Sequence, residues 1–141
     1  MAWGAVKKET MMEMLPSVLL RHEGYGEGHF DWLLGEPGVV YDGDEEKRLW
    51  TWRIDVGSDA WEMGKEYAMV RNFDHRARYL SYEGEISGGR GEVRQVDKGV
   101  HEVEEWGEGR IVTRIDFEKF EGIAEIRCIK GEIWGVVFKE G

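Results

Sequence analysis

Short runs of alternating side chains, cut apart by glycine turns, recur along most of the chain and leave few architectures open. The runs fall at 17–22, 29–34, 48–54, 67–72, 92–96, 101–106, 110–117, 123–129 and 132–138. Between many of them lie "YDGDEE", "SGGRGE", "DKG", "WGEG" and "KGE". Asp42-Gly43 and Lys130-Gly131 suit hairpin turns, because glycine takes up a positive φ without steric cost. Helical turns are expected only at 9–14 and 58–63. Short strands at this spacing form a barrel or a sandwich. The expectation is a mostly β protein, a compact single-domain β-barrel with one or two short helices. It spans 16–141 and follows a partly ordered segment, 1–15.

Composition narrows the function. The chain has 141 residues, 41% of them hydrophobic and 12% aromatic, enough for a real core. It holds no apolar stretch of the ~20 residues that cross a bilayer, so no membrane is expected among its partners. The opening "MAWGAVKKETMMEMLPSVLL" is interrupted by acids and a proline and does not read as a signal peptide. The single cysteine, Cys128, forms no internal disulfide, fits a reducing cytoplasm and is expected as a small core residue. Acids outnumber bases 29 to 19, for a formal charge of −10. Proteins that coat duplexes carry the opposite sign. Action on a short end remains open where bases and a metal gather locally.

The segment His29-Phe-Asp-Trp-Leu-Leu34 carries the chemistry. In a strand, alternate side chains face opposite ways. Phe30, Trp32 and Leu34 then share an apolar face, while His29, Asp31 and Leu33 share the other. This places an imidazole and a carboxylate together, lining a barrel interior or a groove. His22, across the glycine-rich loop "EGYGEG", folds back beside them. Two imidazoles and a carboxylate suit Mn, Zn or Fe(II) with positions left for water or substrate. By spacing alone the metal signal is weak, and histidines bonded within a polar patch are the favoured reading. Trp50 and Trp52 share a face and are expected in the core, with stacking on an unpaired base as the competing use. His101, among acids, is expected to be exposed.

Read in order, "RHEGYGEGHFDWLL", "LWTWRI" and "DHRARYLSYEGEISGGRGEVRQVDKGVHE" resemble the 3′-phosphoesterase domain of bacterial DNA ligase D, from about His22 to the C-terminus. Asp74-His75 with Tyr79 keeps that family's D-H-x-x-x-Y spacing. Tyr82-Glu83-Gly84 and Val96-Asp97-Lys98-Gly99 keep its next two signatures. The resemblance implies a compact β-barrel and a Mn-dependent enzyme. Such an enzyme removes a 3′-terminal ribonucleoside and then the 3′-phosphate, in DNA repair, before a separate ligase or repair polymerase acts. By position, His22, His29 and Asp31 correspond to the metal ligands, and His75 and Tyr79 to the catalytic pair.

The chain departs from the family at defined points. Leu33 stands where the family has a phosphate-clamping arginine, and Arg76 where it has a proline. The glycine hairpin is shorter, and Lys7 and Lys8 are the only bases of the N-terminal segment. Arg53, Arg76 and Arg90 are the candidate substitutes for the missing clamp. Three readings follow. The first is a metal-dependent 3′-end phosphoesterase. The second is a module that holds metal and an end, or a repair partner, without turnover. The third is a hydrolase for a small phosphorylated metabolite.

Overall fold

A computed structural model describes residues 13–141. Nine strands follow in order: β1 (Met14–Glu23), β2 (His29–Leu34), β3 (Arg48–Ile54), β4 (Glu66–Arg76), β5 (Gly84–Glu85), β6 (Glu92–Trp106), β7 (Arg110–Phe117), β8 (Glu121–Lys130) and β9 (Ile133–Lys139). Eight of them form an antiparallel ring, β1-β2-β3-β4-β9-β8-β7-β6, which closes where β6 pairs back onto β1. The two-residue β5 attaches to β6. Closure leaves the ring no free edge, so its backbone donors and acceptors are paired within the wall. Among the described residues, no helix is long and apolar enough to cross a membrane.

The alternation read from the sequence now has a spatial meaning. Leu19, Trp32, Leu34, Trp52, Ile54, Met69, Ile111, Ile115, Ile126, Val136 and Phe138 point into the ring and form one buried core. Trp32 and Trp52 are fully buried. Each removes ~150–250 Å² from water, worth roughly 4–6 kcal/mol before entropic costs. Trp61 lies flat on Phe138, with centroids 4.4 Å apart, and caps one part of this core. Trp50 is only half-buried and carries the Arg71 guanidinium 4.1 Å above its ring. The opposite faces of β1, β2 and β3 build a second, smaller cluster. Val18, Leu20, Leu33, Leu49 and Val93 meet there, covered by Tyr79, Leu80, Tyr82 and Ile86. A 3-10 turn, Ala77–Leu80, supplies part of that cover.

Several expectations need correction. The stretches 92–96 and 101–106 are one long strand, because β6 serves both β1 and β7. Bulges at Leu19/Leu20 and Val103/Glu105 take up the curvature and hide the continuous alternation. Asp42-Gly43 lies in the long β2–β3 connection rather than in a tight hairpin, whereas Gly131 turns β8 into β9 at φ 57°. The helical turn at 58–63 shortens to a 3-10 turn, Ser58–Ala60. Of the one at 9–14, residues 9–12 lie outside the described residues, and Met14 already belongs to β1. Cys128 is exposed, not core. His101 is fully buried, not exposed. Its Nε2 donates to the Gly35 carbonyl at 2.9 Å, and its Nδ1 accepts from the Thr113 hydroxyl at 2.7 Å. Both ring nitrogens are satisfied, which is what lets a histidine sit dry among apolar neighbours.

Candidate metal centre

His22 and His29 are direct cross-strand partners at the loop end of the β1–β2 hairpin, and Leu20 pairs with Asp31 two residues further from the loop. The three ligand candidates therefore converge on the outer face of the barrel wall. His22 Nδ1 lies 3.7 Å from Asp31 Oδ2, and His29 Nε2 lies 3.2 Å from Asp31 Oδ1. One ligand atom from each residue falls within 4.8 Å of the others. Donors that share one ion at ~2.1 Å stand roughly 3–4 Å apart, so the group can hold a metal ion.

The remaining ring nitrogens support that geometry. His22 Nε2 donates to the Arg90 carbonyl at 2.7 Å, and His29 Nδ1 donates to the Glu27 carbonyl at 3.2 Å. Each bond fixes a tautomer and leaves a lone pair, on His22 Nδ1 and His29 Nε2, aimed toward Asp31. Backbone carbonyls hold metal-ligating histidines in this way. Asp31 is 1% exposed, yet its Oδ1 has no hydrogen bond among the described residues. The nearby His29 Nε2 is at ion-pair range but not in hydrogen-bonding geometry, so the carboxylate is left with unspent acceptor capacity. A buried carboxylate of that kind needs a cation. The adjacent Asp31 carboxylate raises the His29 pKa above its ordinary value, against the effect of burial.

The surrounding groove, about 520 Å³, is lined by all eight residues singled out from the sequence: His22, His29, Asp31, Arg53, His75, Arg76, Tyr79 and Arg90. Its floor is the outer face of β1 to β3, and Arg53 stands opposite Asp31 across β2 and β3. The side chain of Arg53 forms no ion pair or hydrogen bond among the described residues. Arg76 is tied to Glu46 at 3.4 Å, and Arg90 is turned back on Ser87. Arg53 is thus the arginine best placed to meet a ligand beside Asp31.

A bulge puts His75 in this groove. Thr51 pairs with Asn72, but Leu49 pairs with His75, so β4 holds one residue more than β3 between these pairs. The extra residue reverses the alternation, and His75 comes out on the same face as Asn72. Its Nδ1 donates to the Phe73 carbonyl at 3.1 Å, leaving Nε2 for a ligand. Burial lowers its pKa below the ordinary value, partly offset by the charge of Asp31. Tyr79 meets the His75 ring edge-on at 5.6 Å.

Leu33 does share the face of His29 and Asp31, but it is fully buried in the smaller cluster. It forms an apolar footing for the site rather than an open position. Sequence reasoning missed Arg48, Asn72, Tyr25 and Phe73, which also line the groove. Arg48 has the wrong parity for this face. It contributes because it is the first residue of β3, opposite Arg76. Four arginines face three carboxylates here (Glu27, Asp31 and Asp74), in a chain of net charge −10.

No protein-family model matches the sequence, and no curated protein matches it. The fold and site define a closed antiparallel β-barrel with a two-histidine, one-carboxylate centre on its outer wall.

Proposed function

We propose that the protein is a metal-dependent phosphoesterase that trims the 3′ ends of nucleic acid, as its resemblance to the ligase D phosphoesterase domain implies. The observation that carries the reading is a single groove. It gathers His22, His29 and Asp31 with His75, Tyr79 and Arg53. His22 Nδ1, His29 Nε2 and Asp31 would hold the ion, with Mn the expected metal and Zn the alternative. When bound, the metal supplies Lewis acidity toward a phosphoryl oxygen and toward water. Arg53 orients the phosphate and offsets its charge. His75, with its proton fixed on Nδ1, presents Nε2 to accept a proton from water and return it to the leaving oxygen. The Tyr79 hydroxyl donates to a non-bridging oxygen. The product, a 3′-hydroxyl end, is what a separate ligase or repair polymerase consumes.

A second reading, a module that binds metal and an end without turnover, is favoured by one observation. Leu33 offers no donor where the family has a clamp. Release of phosphate from a 3′-phosphorylated oligonucleotide, with and without Mn, separates the two. The enzyme reading expects Mn-dependent release that Asp31→Ala abolishes. Tight Mn binding with no release supports the module.

A further inference from the structure

The groove carries two aromatic rings that the chemistry above does not use. Phe73 is 72% exposed, the most exposed of the large apolar residues described, and Tyr25 is 56% exposed. Neither ring hangs free. Phe73 lies parallel to His75, at 5.3 Å and 13°, and Tyr25 lies parallel to His22, at 6.3 Å and 15°. Each is therefore backed by an imidazole on one side and open to solvent on the other. Tyr25 rises from the β1–β2 loop and Phe73 from the β4 bulge, two strands away, so the rings flank the His22, His29 and Asp31 group. Holding a phenylalanine in water forgoes the gain from burying its ring. The bulge that aims His75 into the groove also takes Phe73 out of the wall.

Resting on the phosphoesterase reading, we propose that Phe73 and Tyr25 are stacking platforms for unpaired nucleobases, and that the substrate class is the single-stranded 3′ end. A planar ring against an aromatic face, beside four arginines and a metal centre, is the chemistry of a nucleotide rather than of a sugar phosphate. The global charge of −10 makes a long duplex footprint unfavourable, so affinity has to come from a few bases. Stacking is sequence-tolerant and contributes affinity without phosphate neutralisation. Both residues act in positioning; neither touches the phosphate.

The test is binding of labelled 3′-phosphorylated oligonucleotides to the full chain with Mn. Three ends are compared: single-stranded, blunt duplex, and single-stranded with abasic sites at the last two positions. The wild type should prefer the single-stranded end by ~10-fold or more over either other end. Phe73→Ala and Tyr25→Ala should each weaken that end by about 10- to 100-fold while leaving the abasic end unchanged. Phe73→Leu, which keeps apolar bulk, should behave like the alanine variant, and any turnover should show a raised KM with kcat little changed. Equal binding of all three ends by the wild type overturns the proposal, as does full retention in Phe73→Leu. Base-dependent binding without phosphate release upholds the stacking platforms and sinks the phosphoesterase reading. Release indifferent to both rings does the reverse.

Discussion

His22 donates from Nε2 to the carbonyl oxygen of Arg90 at 2.7 Å, across 68 positions of sequence. The bond ties a ligand candidate on β1 to the glycine hairpin before β6. Gly91, next in the chain, sits at φ 81°, and a Cβ there would strike the Glu23 carbonyl. The hairpin's close approach thus depends on a glycine, while the bond itself uses backbone only.

Gly91→Ala should therefore weaken Mn binding about 10- to 100-fold, the usual cost of disturbing a group that orients a ligand. Arg90→Ala should change it little. Titration calorimetry on both variants checks this, and equal effects would show that the carbonyl is not what holds His22.

Metal should stabilise the protein through Asp31. At a free Mn concentration ~100 times the Kd, mass action adds about 2.7 kcal/mol. The expected result is a Tm that rises with Mn, falls back with chelator, and does not move in Asp31→Asn. A Tm rise retained in that variant would place the ion elsewhere.

Leu33→Arg introduces the arginine found in the phosphoesterase domains that the sequence resembles, and the packing argues against it. Leu33 has no exposed surface and shares a buried cluster with Val18, Leu20, Leu49 and Val93. An unpaired guanidinium there should cost on the order of 3–5 kcal/mol, visible as a lower urea midpoint. Arg53→Ala, at a half-buried position, should keep the midpoint and reduce phosphate release by ~10²-fold.

Acid should unfold the barrel partly through His101. Burial lowers its pKa to about 4, against ~6.5 in the unfolded chain. The unfolded state then binds the extra proton first, so this stability is complete above pH 6.5 and is lost as pH falls toward 4. The loss is roughly 3 kcal/mol. Urea unfolding at pH 7 and pH 5, with chelator present, should show a smaller drop in His101→Gln than in the wild type.

The β-barrel and the His29–Asp31 face were legible because period two survives through β2 unbroken. The site beyond that strand was legible only in part. His75 reaches the groove through an extra residue in β4, and alternation carries no mark of a bulge until the partner strand is known. His101 read as exposed because its sequence neighbours are acids. Its burial depends on Gly35 and Thr113, which lie 66 and 12 positions away. Cys128 sits next to the bulge between Cys128 and Lys130, where β8 departs from the regular register. Arg53 could be proposed because its strand, 48–54, was expected beside 29–34, and β3 does pair with β2 so that Arg53 meets Asp31.

The six residues of β2 divide their labour by parity, with Phe30, Trp32 and Leu34 turned into the barrel and His29, Asp31 and Leu33 turned out. The interior half is chemically indifferent, while in the outer half His29 and Asp31 face the groove and Leu33 lies buried in the smaller cluster. A saturation scan along this strand should consequently yield two phenotypes, one for the residues packed in a core and one for the two that line the groove. Substitutions at 30, 32, 33 and 34 would register as lost soluble protein, and those at 29 and 31 as intact protein with altered metal preference. Such a wall permits the centre to be re-ligated for another ion, or emptied, without the barrel having to be refolded around the change.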